Sequence, residues 1–194
     1  MSVYLTHFAE DDIEVRSSLQ RDHLFQTNID DAASTSQDDE LAARQQRTID
    51  EEHETKRIFT VRRGKGEIIG FCWITSIDWR SQCCEVSLAL LPRFRHAMGA
   101  LLSDAVFRYL YDELNFKVLV NQVMAHNSML LSEDRIAELH QVRRPYDQFT
   151  AGRWNTACYW TVTREQSRME QRGLARRRAD NAVRVNATLG KGQA

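Results

Sequence analysis

The sequence predicts an α+β fold, and three of its features carry that prediction. Charged stretches of helix-forming residues come first, a block of β-branched and aromatic runs follows, and a segment with a four-residue apolar repeat separates that block from further strand-like runs. At 194 residues and 42% hydrophobic content, the chain can fill one core of ordinary size and is too short for two large ones.

The apolar run VYL opens the chain as a short strand. In AEDDIEVRSSLQRDHLF the acids cluster where a helix N-terminus favours them, and Ile13, Leu19 and Leu24 share a broad face, so a helix is expected. DDAASTSQ is a small-polar loop, and DDELAARQQRTIDEEHETK, charged and free of Gly and Pro, reads as a second, more exposed helix. RIFTVRR and EIIGFCWITSI flank GKG, a hairpin signal, and CCEVSLALL adds a third strand after the polar DWRSQ, giving an antiparallel meander. From Ala97 onward Leu102, Val106, Leu110 and Leu114 recur every four residues, which specifies a long helix. FKVLVNQVMA then reads as a buried strand, SMLLSEDRIAEL as a short helix and RWNTACYWTVT as the last strand. Beyond Glu165 the apolar pattern fades. The expected organisation is a folded domain over residues 1–165 and a basic, flexible tail over 166–194.

Composition excludes several classes. The net charge is −1, so neither a nucleic-acid partner nor an acidic disordered chain is suggested by the balance of charge. Residues 1–51 nevertheless hold twelve acids against four bases, and residues 164–194 hold eight bases against three acids. No run reaches the roughly 18 apolar residues of a membrane span, and no leader-like segment opens the chain, so a soluble, cytoplasmic protein with no membrane partner is expected. Cys72, Cys83, Cys84 and Cys158 lack zinc-site spacing and read as reduced thiols, and the six histidines form no HxxxH or HExxH pair, so no metal is expected.

Several segments, in this order and spacing, resemble the GNAT acyltransferase superfamily, and within it the branch containing the ribosomal-protein N-terminal acetyltransferases, over roughly residues 3–165. They are GEIIGFCWITSID, CCEVSLALLPRFR, AMGALLSDAVFRYLYDELNFKVLVNQVMAHN and AGRWNTACYWTVTREQ. The resemblance implies a mixed, mostly antiparallel sheet with helices on both faces. It also implies that an acyl-CoA, usually acetyl-CoA, serves as co-substrate in a gap where the fourth and fifth strands part. Leu88, Ala89 and Leu90 would offer backbone groups to the pantetheine arm. Turn amides leading into a helix, aided by the helix dipole, can hold a pyrophosphate, with Arg93, Arg95 and His96 supplementing them. The family's loop carries Arg or Gln, two residues, Gly, one residue, then Gly or Ala. Here Ala97 stands at the first glycine, Gly99 and Ala100 follow, and Phe94 stands where the basic residue is usual, so the loop is degenerate and its hold on the cofactor is expected to be weakened.

The implied reaction is direct acyl transfer to a primary amine through a tetrahedral intermediate, which needs a base, oxyanion donors and an acid for the thiolate. Strand alternation sets Glu85, Ser87 and Ala89 opposite Val86, Leu88 and Leu90, and the resemblance implies that an acid at the Glu85 position is the base, acting directly or through water; a solvent-facing or ion-paired glutamate is the plain alternative. Asn127 matches the family's cofactor-contacting asparagine and would equally suit a helix cap. The family's tyrosine acid, seven residues further on, is replaced by Asp134; Ser128 is then the candidate acid, the alternatives being a thiolate that leaves unassisted or takes its proton from water, and His126 is read as a strand-end histidine. Tyr146, Trp154 and Trp160 either shape an acceptor pocket or fill core. The acceptor is an amine on a small molecule or a peptide N-terminus, and homodimerisation through the sheet edge or the final hairpin is a family-level expectation. The second reading is a catalytically impaired domain of this fold that serves as a binding module, its basic tail touching RNA or another acidic partner.

Overall fold

A computed structural model of the protein describes residues 2–51, 54–95, 98–127 and 141–169. Its strands, in chain order, are β1 (Val3–His7), β2 (Arg57–Arg63), β3 (Glu67–Asp78), β4 (Cys83–Leu90), β5 (Val118–Met124), β6 (Val142–Thr150) and β7 (Arg153–Thr163). They form one sheet in the order β1-β2-β3-β4-β5-β7-β6. Every neighbouring pair is antiparallel except β4 and β5. A parallel pair needs a crossover, and α4 (Gly99–Arg108) with the π-helical turn Tyr109–Glu113 supplies it. Three further helices, α1 (Ile13–Gln20), α2 (His23–Asn28) and α3 (Asp38–Asp50), lie between β1 and β2 in the chain.

Helices cover both faces of the sheet. Phe59 of β2 meets the Tyr109 ring at the end of α4, whereas Phe71 and Trp73 of β3, which point the other way, meet Phe8 and the α2 residue Phe25. Phe59, Phe71, Phe116, Leu19 and Leu41 are fully buried or nearly so, and each contributes about 1.5–3 kcal/mol through loss of apolar surface from water. At Gly70 the two central strands run so close that a Cβ would lie 2.2 Å from the Ala89 carbonyl oxygen, so no side chain fits there. All four cysteines are free thiols. Among the described residues no helix is long and apolar enough to cross a membrane.

Three expectations change. The first predicted helix is broken: Glu10–Asp12 forms a separate tight turn, α1 stops at Gln20, and Asp22 restarts the chain as the N-cap of α2, its carboxylate accepting from the Leu24 and Phe25 amides at 3.1 Å each. Leu24 consequently lies exposed and Phe25 takes the buried place. The long helix loosens into a π turn over its last five residues. β6 is not among the expected strands; the segment VRRPYDQFT is mostly exposed and shows no apolar alternation, as suits an edge strand carrying Pro145 at a bulge. The predicted helix in SMLLSEDRIAEL and most of the basic tail lie outside the described residues.

One buried charge fastens the helical layer to the sheet. Asp12, 1% exposed, pairs with Arg62 of β2 at 2.5 Å and accepts from the Thr60 hydroxyl at 2.6 Å. Removing the carboxylate leaves the Thr60 hydroxyl without its acceptor and the Arg62 guanidinium with only neutral ones, the Thr6 hydroxyl and the Gly66 carbonyl. Asp12→Ala is therefore expected to cost about 3 kcal/mol, read as a lowered urea midpoint with an unchanged m-value.

Candidate active site

The parallel pairing of β4 and β5 is short. It runs from Cys83 opposite Val118 to Val86 opposite Asn121 and then stops, although β4 continues to Leu90 and β5 to Met124. Beyond Val86 the two strands part, and backbone groups of Ser87–Leu90 that would face β5 have no ladder partner there. Two cavities occupy the gap. One, of about 370 Å³, is lined by Leu88, Ala89 and Leu90 of β4, by Arg95, Gly99 and Ala100 at the start of α4, and by Asn127. The other, of about 340 Å³, is lined by Glu85, Ser87, Gln122 and Trp160, with α1–α3 closing it. Phe25, Asn28, Ile29, Leu88 and Asn127 line both, so the cavities adjoin.

The first cavity ends on a helix N-terminus. Amides of the first turn of α4 have no acceptor within the helix, and Met98 at the N-cap offers them no side chain. A Cβ at Gly99 would meet nothing within 4 Å, and Gly99 is not in the left-handed region, so a ligand can approach this backbone closely. Arg95 lines the cavity but is held by the Asp22 carboxylate. Burial opposes the charge on Asp22, yet the Arg95 hydrogen bond and the Phe25 and Leu24 amides outweigh it and hold this carboxyl below the usual value. Arg93 lines neither cavity; it lies over the Phe94 ring at 4.8 Å and pairs with Glu67 at 3.5 Å. Phe94 itself is buried, with Arg63 at 4.7 Å from its ring, which gives a structural reason for an aromatic residue at that loop position. His96, Ala97 and Ser128 lie outside the described residues.

Glu85 sits in the second cavity on the face that carries α1–α3, opposite Thr75 in register. Burial first, and the Asp147 charge second, push its carboxyl above the ordinary carboxylate range. Asp147 comes from β6, where the bulge between Arg144 and Gln148 holds Tyr146 at φ 52° and lets Asp147 accept from the Tyr159 hydroxyl of β7. The Tyr159 phenol is pushed up to about 12 by burial and by that hydrogen bond, so it stays protonated. Sequence reading missed Asp147 because it missed β6, and Tyr159 because nothing in ACYWTVT distinguishes one aromatic from the next. Trp160 does line the cavity, whereas Tyr146 and Trp154 are 78% and 58% exposed and belong neither to it nor to the core. His126 closes the end of β5, its Nε2 3.1 Å from the Thr27 carbonyl oxygen.

The model of the acetyltransferase (GNAT) domain family matches residues 2–132. The chain belongs to the GNAT acetyltransferase family. Among solved structures it is similar to the spermidine N-acetyltransferase of Vibrio cholerae in complex with CoA and spermine, with a TM-score of 0.70 and 15% identity over 85% of this chain and 97% of that one. It is equally similar to a chimera of that Vibrio cholerae enzyme and hSSAT, with a TM-score of 0.70 and 15% identity over 86% and 98% of the two chains. At 15% identity the likeness is one of fold. A search of curated protein sequences finds no match.

The open space at Gly99 separates folding from binding. Gly99→Asp puts a negative charge on a helix N-terminus, where it is worth about 0.3–1 kcal/mol of stability, and at the same time repels a diphosphate. The variant is expected to melt no lower than the parent while losing its thermal stabilisation by acetyl-CoA.

Proposed function

We propose that this GNAT-family chain transfers an acyl group, acetyl in the simplest case, from acyl-CoA to a primary amine, with Glu85 as the base. The observation that carries this reading is the meeting of two cavities at Leu88 and Asn127, one ending on the α4 N-terminus and the other holding a carboxyl with a raised pKa. The residues fit the co-substrate: a sheet edge freed beside Leu88–Leu90 can take a pantetheine amide, and the α4 amides can take a diphosphate. Acyl-CoA supplies an activated thioester. Glu85 takes a proton from the acceptor ammonium, directly or through one water, freeing the nitrogen lone pair to attack the thioester carbonyl. The tetrahedral intermediate then collapses with direct transfer: the C–S bond breaks, the nitrogen gives up its second proton to solvent, and the thiolate takes up one proton to become the CoA thiol. Ser128 is the candidate for protonating it. Asp147, hydrogen-bonded to Tyr159, adds negative charge beside Glu85 and favours an ammonium there. The resemblance to the ribosomal-protein branch makes a peptide N-terminus one acceptor class, small amines being the other.

Acetyl-CoA in excess of its Kd should raise the melting temperature, and amine-dependent thiol release should follow; a chain that acts only as a binding module through another surface shows neither. Glu85→Gln is expected to lower kcat/KM by about 10²- to 10⁴-fold. In the parent kcat/KM should rise with pH through the raised Glu85 value, and this limb should vanish in the variant; full turnover by Glu85→Gln at neutral pH sinks the assignment.

Stability should move the opposite way. The folded chain holds the Glu85 proton to higher pH than the unfolded chain does, so this group's stabilising contribution is complete below the unfolded value and is lost as pH rises through the folded one. Glu85→Gln should flatten that part of the stability profile, as followed by urea midpoints across pH.

A further inference from the structure

Resting on the transferase reading, the Glu85 cavity also carries information about the acceptor. Its charged lining residues are Glu85 of β4 and Asp30 on one side of the balance and Arg16, Arg44 and Lys56 on the other. Arg44 already pairs with Glu40 at 3.2 Å, which leaves Arg16 and Lys56.

Arg16, on α1, is 9% exposed and is fixed by its Nη1, which donates to Gln45 Oε1 at 3.0 Å, and by the Phe8 ring 5.5 Å from its guanidinium carbon. Burial pushes it down to about 10, with Asp30 opposing. Lys56 stands exposed at the rim, and loss of hydration followed by the Arg16 charge holds it below the usual lysine value. No carboxylate lies within 4 Å of either cation among the described residues; Asp30, the nearest acid in electrostatic effect, is already accepting the Ala32 amide at 2.8 Å. A buried guanidinium with no carboxylate partner is an unusual thing to keep, because one neutral hydrogen bond and a ring face offset only part of its desolvation.

A second observation is independent of charge. Gln122, which alternation puts on the same face of the sheet as Glu85, lines the same cavity, and its buried Nε2 has no hydrogen-bond partner. An unused donor in a cavity that also holds cations matches a group rich in acceptor oxygens.

We infer that the acceptor is an aminocarboxylate, with its ammonium at Glu85 and its carboxylate at Arg16 and Lys56. A polyamine would place its second ammonium against two cations, so this cavity disfavours it despite the shared fold with spermidine N-acetyltransferases.

The test measures thiol release with saturating acetyl-CoA for glycine, β-alanine, 4-aminobutanoate, glutamate and short acidic peptides. Each is paired with the analogue bearing a primary amide in place of the carboxylate, and spermidine is run beside them. The best carboxylate should exceed its own amide analogue, and spermidine, by about tenfold or more in kcat/KM, as loss of a charge-assisted hydrogen bond predicts. Arg16→Gln and Lys56→Gln should each bring the carboxylate-to-amide ratio to within about threefold of unity. Should buried Arg16→Gln fail to fold, the exposed Lys56→Gln decides. Amide analogues or spermidine matching or exceeding the carboxylates overturn the inference while the transferase reading stands. If no amine releases thiol, the transferase reading falls. The inference is then judged by calorimetry of 4-aminobutanoate and glutamate with CoA present: binding that Lys56→Gln abolishes supports it, and absence of binding overturns it.

Discussion

The constraint on which the molecule turns is that a parallel pair of strands sits inside an otherwise antiparallel sheet and holds together for four residue pairs only. Were β4 and β5 zipped to their ends, the sheet would be continuous and nothing could enter it. Because they separate after Val86, the backbone of Ser87–Leu90 is left needing partners on one side, and the crossover helix that makes the pair parallel begins beside the same gap. The helix N-terminus and the freed strand edge are thus one consequence of topology, and a phosphorylated, amide-containing ligand answers both.

What surrounds the gap is organised by charge on named elements. Asp12 locks α1 to β2 through Arg62, and Asp22 locks α2 to the β4–α4 loop through Arg95. These ties place α1 and α2 over the sheet so that Arg16, Gln20 and Asn28 can face Glu85 and Gln122 across a cavity. The many acids of residues 1–51 therefore do more than solvate helix faces. Asp12 and Asp22 fasten structure, and of the described acids before β2 only Asp30 lines the cavity.

Much of the fold was legible because local chemistry and tertiary context agree there. β2, β3 and β4 are β-branched runs bounded by turn residues, and Leu102, Val106 and Leu110 lie on one buried face of α4 and its final turn. Glu85 was singled out by strand alternation together with its match to the family's acid at that position. The rest was hidden for physical reasons. β6 carries Arg143, Arg144 and Pro145 where a strand signal would need apolar alternation, because its outer face meets water. Asp22 is a capping residue by type, yet the helical periodicity on both sides masked the break. The unpartnered amides of Gln20, Asn121 and Gln122 have no signature at all in the sequence, since a buried amide and an exposed one are written with the same letter.

The bulged outer strand has one further effect. Pro145 withholds an N–H, the flanking arginines repel a copy of themselves, and the kink at Tyr146 interrupts the regular spacing that a docking strand would have to follow. This margin is therefore a poor template for extending the sheet. Two molecules meeting there would have to do so through ring surfaces such as Phe149 and Trp154, stacked edge to face 5.5 Å apart, and not by sharing a backbone ladder.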